Sequence, residues 1–302
     1  MSFSFAFEDA LIIWMQQYMS AGAVSFFSFI SELGDQLFIV ALVGLFYWSL
    51  DKELGKKIVL NICIINIVNP CVKSLVKRLR PYMANPKIKC LKPVSTEGDL
   101  YDVTVQEYSF PSGHAANSVA VYGTIGKYYK KAWLRAMLFT VCLLIGISRF
   151  AVGVHYPTDV LLGWLLAALS LTVFGFLFKK VGRYKMFLIL DALGLLGFIF
   201  ARTNDFYTGY GMLLGSTLAI VFEEKRVNFK EAGSFLSGLL RTVVGGGLFL
   251  GLNALLKLPF TEEFLSGGTM GAFIVRALRY AVLMFLLLGV YPMTFRWTKE
   301  KQ

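Results

Sequence analysis

The sequence predicts an all-α protein, a polytopic integral membrane helical bundle, and three observations predict it. Charged residues make up 16% of the chain and hydrophobic ones 56%, whereas a soluble globular domain carries about 25% charge. Several apolar runs reach the ~17–25 residues that a bilayer-spanning helix needs. The lysines and arginines behind the net charge of +11 gather at the ends of those runs, as membrane topology requires. That placement argues against nucleic acid as a partner.

Residues 1–34 hold two apolar stretches, 7–19 and 24–30, which are too short to span and read as interfacial or re-entrant helices. They are not expected to form a cleavable signal peptide, since the first lysine is Lys52 and Glu8 and Asp9 come early. Gly34 and Asp35 break the pattern, and residues 36–50 make a short first span ending at Trp48 and a basic segment. A second span covers about 57–79 and contains Pro70, which is expected to interrupt the helix. The polar connection over 80–110 is too long for an incidental turn and reads as a lid or binding loop.

The third span starts at Pro111-Ser112-Gly113-His114 and ends at a basic KYYKK, the fourth covers 133–152, the fifth 157–180 and the sixth 186–200. Three more, at 207–222, 235–256 and 271–295, bring the expected count to about nine. Basic clusters at 52–57, 127–135, 179–185, 225–230 and 296–301 fall at alternate ends of these spans. The positive-inside rule makes those ends cytoplasmic, with the C-terminus among them. The 80–110 connection and the turn at 152–157 then share the outer side. Cys63, Cys71, Cys90 and Cys142 have no metal-ligand spacing and read as small core residues.

The chain has only two histidines, His114 and His155, each close to a proline that suits a helix start. Imidazole titrates near neutrality, which suits proton transfer and nucleophilic phosphoryl chemistry. Lys73, Lys77 and Arg80 are spaced by four and three residues, which predicts one shared face of the second helix. Positive charge is disfavoured at that outer end, so a bound anion would explain it. Ser112 suits an N-cap whose helix start offers amides to an anion, with the Gly113 amide unshielded. Simple capping beside an interfacial His114 explains the same residues equally well. Asp159 lies in the first turn after Pro157, a commonplace position, yet it follows His155 by four residues and can orient the imidazole. Arg149 can fork onto two phosphate oxygens.

Taken together, Lys73 and Arg80-Pro81 with six residues between, PSGH at 111–114, and Ser148-Arg149 followed by His155 and Asp159 resemble the type 2 phosphatidic acid phosphatase family. That family also includes glucose-6-phosphatase, sphingosine-phosphate phosphatases and the vanadium haloperoxidases. All three motifs occur in order, without departure at the key positions, and the resemblance covers about residues 35–200. It implies a six-helix phosphatase core over 35–203, between interfacial N-terminal helices (1–34) and about three extra C-terminal spans (204–302). It implies that His155 attacks phosphorus with Asp159 holding its ring, while His114 protonates the leaving alcohol and then activates water. Lys73, Arg80, Arg149, the Ser112 hydroxyl and the Gly113 amide would hold the phosphate oxygens, with no metal and no cofactor.

The expected function is a membrane phosphatase acting on a lipid phosphomonoester or diphosphate, with its site on the extracytoplasmic face of a plasma or inner membrane. Phosphatidic acid, phosphatidylglycerophosphate, polyprenyl diphosphate and sphingoid-base phosphate are all admissible. A phosphotransferase using the same phosphohistidine is one alternative. A lipid or ion transporter with the histidines as proton relays is another, but transport sites usually sit at the midplane. Elsewhere, Asp191 inside the sixth span invites either a function or helix pairing. Arg241, Arg276 and Arg279 are expected to snorkel or to pair with Glu223, Glu224 or backbone carbonyls. The glycines at 245–247 would allow close packing, and the last three spans could serve as a lateral gate or a homodimer contact. Glu97, Asp99, Asp102 and Glu107 read as a solvated surface or as residues that tune substrate choice.

Overall fold

The computed structural model describes residues 4–96 and 98–297, and no strand forms among them; Glu97 lies outside them. The first half contains α1 (Ala6–Gln17), α2 (Ala21–Glu32), α3 (Gln36–Gly44), α4 (Lys52–Val76), α5 (Pro81–Ala84), α6 (Val103–Gln106), α7 (Gly113–Ser118) and α8 (Thr124–Tyr129). Then come α9 (Ala132–Ala151), α10 (Pro157–Val181), α11 (Arg183–Phe200), α12 (Asn204–Phe222), α13 (Phe235–Leu255), α14 (Glu262–Ser266) and α15 (Met270–Phe285). Wider π turns extend α3, α12 and α15 and separate α7 from α8.

The protein is a multi-pass membrane protein. Among the described residues five stretches are long and apolar enough to cross a bilayer: Lys52–Ala84, Ala132–Ala151, Pro157–Val181, Phe235–Leu255 and Met270–Phe295. The pair Ala21–Glu32 and Gln36–Leu50, bent by 45°, makes a sixth if taken as one span. The difference from nine has local causes. The expected third span is broken at Val119–Gly123. In α11, Arg183, Lys185 and Asp191 lower the hydropathy. In α12, Asn204, Asp205 and Thr208 lower the hydropathy of the first turns, and most of the helix is buried inside protein. By contrast α10 exposes Leu161, Leu165 and Leu169 along one side, the pattern of a lipid-facing helix.

The chain divides into two compact units, Met1–Phe38 with Cys71–Leu171, and Ile39–Pro70 with Thr172–Gln302. In the first, the turn at 152–156 joins α9 to α10 and its core is Ile12, Tyr82, Ile88, Val152, Val154 and Tyr156. The core thus combines α1, the 80–110 connection and the turn. Burying such aliphatic side chains is worth about 1.5–3 kcal/mol each. Gln16 clamps the same assembly: its amide donates to the Lys89 carbonyl at 2.9 Å and its carbonyl accepts from the Lys89 N–H at 2.9 Å. Gly153 has φ +82°, and a Cβ there would lie 2.2 Å from the Lys89 carbonyl, so the turn tolerates no side chain at that point.

In the second unit, α12 packs on α15 through Gly211 and Gly215, where a Cβ would come within 2.2 Å of the Ala277 and Ala281 carbonyls. Small residues at this spacing let two helices approach backbone to backbone. Pro70 does not end α4, which runs on to Val76. Of the glycines at 245–247 only Gly245 meets a neighbour, the indole of Trp48. Glu223 is buried against Lys52 and Lys56, and Glu224 joins Lys56 at 2.8 Å. Arg241 pairs with backbone carbonyls, those of Trp48 and Lys230, as one of the expected outcomes, and Arg279 donates to Asn253. Asp191 accepts from the Thr217 hydroxyl at 3.0 Å, a helix-to-helix pairing.

Candidate active site

The motif residues meet in the first unit. Helix α4 stops at Val76 because Lys77 turns left-handed, with φ 52°. Lys77 is therefore exposed, while Arg78 and Arg80 turn inward and are buried. The predicted single helical face for Lys73, Lys77 and Arg80 does not exist, because the helix ends at Val76, before Lys77 and Arg80. Lys73, still on the helix, places Nζ 2.5 Å from Glu107 Oε2.

Arg80 is fixed by backbone carbonyls. Its Nε donates to Gln106 at 2.7 Å and Glu107 at 3.0 Å, and its Nη1 to Val154 at 2.9 Å. The same Nη1 lies 3.4 Å from His155 Nε2. Arg149, at the end of α9, donates Nη1 to the Ser31 hydroxyl, while its buried Nε has no hydrogen-bond partner. Both guanidiniums are 1% exposed, and among the described residues neither is ion-paired to a carboxylate. A buried, uncompensated cation is expensive unless an anion arrives to pair with it.

The His155 ring is set by Ser109, whose carbonyl lies 2.8 Å from Nδ1. A carbonyl can only accept, so Nδ1 carries the proton and Nε2 the lone pair. That lone pair faces Arg80. Burial first, then the charges of Arg80, Arg149 and Lys73, hold the His155 pKa well below its ordinary value, so the ring is neutral at physiological pH. Asp159 Oδ2 lies 3.5 Å from Nδ1. Its closer partners are the Tyr156 N–H at 2.7 Å and Arg78 Nη1 at 2.6 Å. The ring's nearest holder is thus a backbone carbonyl, with the carboxylate behind it.

His114 stands in the first turn of α7 with Nε2 3.7 Å from Asp35 Oδ2, and its side chain remains 22% accessible. Ser112 caps α7, its hydroxyl accepting from the Ala115 N–H at 3.5 Å. The Ser112 N–H donates to the Asp159 carbonyl at 3.0 Å, which ties the α7 start to α10. A Cβ on Gly163 would sit 2.6 Å from the Ser112 carbonyl, so glycine is what permits this approach. The space over Gly113 is open, with nothing within 4 Å of an added Cβ.

Several contributors escape a reading of motifs. Arg78 stands out in the sequence only as one more cation between Lys77 and Arg80, and Asp35 only as a break between helices. Ser109 acts through its backbone, which leaves no signal of residue type. Glu8 is buried among these groups although it lies far away in sequence. The arrangement presents an imidazole lone pair beside two guanidiniums and an ammonium, with a second histidine paired to a carboxylate. Chemically it can receive a tetrahedral oxyanion and move a proton.

Comparison with known proteins points the same way. The PAP2 superfamily model matches residues 55–183, and the model for the transmembrane extension of PAP2 superfamily phosphatases matches residues 207–302. Sphingosine-1-phosphate phosphatase 1 of Rattus norvegicus is 28% identical over 191 residues, covering 59% of this chain and 42% of that protein. Phosphatidylglycerophosphatase B of Bacillus subtilis is 27% identical over 188 residues, 57% of this chain and 79% of the relative. Undecaprenyl-diphosphatase of Sulfolobus acidocaldarius is 30% identical over 146 residues, 46% and 63% respectively. The chain therefore spans less than half the length of the rat phosphatase it matches.

Proposed function

Because the chain belongs to the PAP2 superfamily, carrying both its phosphatase domain and its transmembrane extension, we propose that it is a membrane lipid phosphatase working through His155. The observation that carries this proposal is the pair of buried guanidiniums, Arg80 and Arg149, without carboxylate partners and close to the neutral ring of His155. The names of these relatives all denote phosphatases of lipid phosphates or diphosphates, which supports a substrate of that class here.

In the proposed reaction, the Nε2 lone pair of His155 attacks phosphorus and forms the N–P bond. The P–O bond to the lipid breaks, its electron pair goes to the alcohol oxygen, and protonated His114 supplies the proton. Burial and the Arg149 charge hold the His114 pKa down to about 4 in the free site, with Asp35 only partly opposing them, so the negative charge of the bound phosphate must supply the rest of what keeps His114 protonated. His114, now neutral, takes a proton from water, whose oxygen attacks phosphorus. The P–N bond then breaks, its electrons return to Nε2, and inorganic phosphate leaves. Arg80, Arg149 and Lys73 neutralise the equatorial oxygens throughout, with the Gly113 amide as a further donor. This cage of cations takes the place of a metal. The basic clusters at 52–57, 127–135, 179–185, 225–230 and 296–301 favour an extracytoplasmic site and a cytoplasmic C-terminus.

The test is an assay of purified protein in detergent against phosphatidic acid, phosphatidylglycerophosphate, polyprenyl diphosphate and sphingoid-base phosphate, beside His155→Ala. The wild type should release inorganic phosphate without an added acceptor, should keep its activity in EDTA and should be inhibited by vanadate. His155→Ala should release essentially none. Product formation only with an acceptor alcohol would point to a phosphotransferase, and strict dependence on a divalent cation would exclude the cation-cage mechanism.

A further inference from the structure

Behind His155 lies a buried ion-pair chain that reaches into the N-terminal helix. Asp159 Oδ1 accepts from Arg78 Nη1 at 2.6 Å, and Glu8 Oε2 accepts from Arg78 Nη2 at 2.5 Å. All three side chains are fully buried. Glu8 Oε1 also accepts from the Thr158 hydroxyl at 2.6 Å and the Thr158 N–H at 3.1 Å. It therefore caps the N-terminus of α10 from a different helix. Arg78 Nη1 donates as well to the Thr158 hydroxyl at 2.8 Å, and its guanidinium lies over the Tyr156 ring at 3.8 Å. Burial opposes the charge on Glu8, but the bonds from Thr158, the Phe5 N–H and Arg78 outweigh it and hold the carboxyl below its ordinary range. Glu8 is thus a permanent anion.

The charges have a consequence for the reaction. Were Arg78 paired with Asp159 alone, the two would cancel, and the histidine would face a neutral cluster. With Glu8 in place, the chain Glu8–Arg78–Asp159 holds two negative charges and one positive. One negative charge is left over, at the end next to His155. The neutral ring has no need of it. The ring acquires positive charge as the N–P bond forms, and the surplus then becomes attractive at low dielectric. The other charges around the ring, Arg80, Arg149, Lys73 and His114, are cationic or neutral and oppose that build-up. We infer that Glu8, on the N-terminal helix, is a positioning residue of the catalytic site: by neutralising Arg78 it frees the charge of Asp159 to stabilise the phosphorylated form of His155. This rests on the phosphohistidine mechanism above.

Charge swaps test it. Glu8→Gln keeps an oxygen for Thr158 but removes the charge. It should lower kcat by on the order of tenfold or more while leaving the inhibition constant for inorganic phosphate within about twofold, because the oxygens are held by other residues. Glu8→Gln with Arg78→Met removes the pair as a unit and restores the surplus on Asp159, so most of the lost kcat should return. A purely structural role would make the double variant worse than the single one. A Glu8→Gln enzyme with wild-type kcat overturns the inference, as does a folded double variant no better than the single. If neither variant can be recovered folded, the chain serves folding alone and the inference is equally lost. His155→Ala in the same assay separates the levels. Retained activity there removes the phosphohistidine mechanism itself, whereas an inactive His155→Ala beside an unimpaired Glu8→Gln removes only the role of Glu8.

Discussion

Arg149 offers a test in which stability and activity should move in opposite directions. Its guanidinium is 1% exposed, bonded to the Ser31 hydroxyl, unsatisfied at Nε and without a carboxylate partner. Substitution by methionine keeps much of the volume and removes the charge. Replacing a buried charge by a well-packed apolar side chain commonly stabilises by about 1–4 kcal/mol. Leaving the Ser31 hydroxyl without its donor costs about 1 kcal/mol in return. The net expectation is a gain of about 0–3 kcal/mol, with Tm rising by roughly 2–4 °C per kcal/mol. Activity should fall steeply. Hydrogen bonds to charged groups are worth about 1.5–3 kcal/mol each, so losing a two-pronged contact with the transition state removes about 3–6 kcal/mol, or roughly 10²–10⁴ in kcat/KM. Thermal unfolding in detergent, with and without inorganic phosphate, reads both effects. The wild type should gain about 2.7 kcal/mol at a hundred times its Kd, and Arg149→Met should gain almost nothing. A variant that melts lower and still responds fully to phosphate would show that Arg149 is a structural cation, and the anion site would have to lie elsewhere.

Three further expectations follow from the same geometry. The depressed pKa of His155 keeps the ring neutral well into the acid range, so the acid limb of kcat/KM should fall below the ordinary histidine value of ~6.5. Arg80→Met removes the largest opposing charge and should move that limb to higher pH, as a pH–rate profile would record. Since the unfolded chain protonates this histidine first, its contribution to stability is lost as pH falls below about 6.5. Glu107→Gln frees Lys73 from a carboxylate at 2.5 Å that substrate phosphate must displace, so KM should drop by roughly tenfold, worth about 1.4 kcal/mol; an unchanged or higher KM would mean that Lys73 does not hold the phosphate. Gly163→Ala would drive a methyl against the Ser112 carbonyl at 2.6 Å. It should cost about 1–3 kcal/mol of stability and lower kcat more than it raises KM, measured by thermal unfolding and steady-state kinetics.

Much of the candidate site was readable in the residues, because the proposed chemistry needs particular side chains at particular spacings. Lys73, Arg80, Arg149, His114, His155 and Asp159 all lie in the unit that holds the site. What escaped is of two kinds. Ser109 contributes a carbonyl, which every residue possesses, so no sequence pattern marks it. Glu8 and Arg78 are separated by 70 residues, and nothing local says that an acid on a short N-terminal helix will be buried against a distant arginine. The spacing of Lys73, Lys77 and Arg80 misled for a related reason. It assumes that the helix continues, and a left-handed Lys77 turns Arg78 and Arg80 the other way. The count of five or six spans rests on helix length and composition, and α12 falls outside it because its first turns carry Asn204, Asp205 and Thr208.

The sequence by itself determined that this is an α-helical membrane protein, with two histidines and several arginines and lysines at spacings that suit phosphate chemistry. Those are properties of composition and short-range spacing. The tertiary structure alone decided which imidazole nitrogen carries the lone pair, which guanidiniums lack a counter-ion and which acid cancels Arg78. Such outcomes depend on distances of a few ångströms between groups far apart along the chain, in a medium where one unpaired charge outweighs many local preferences.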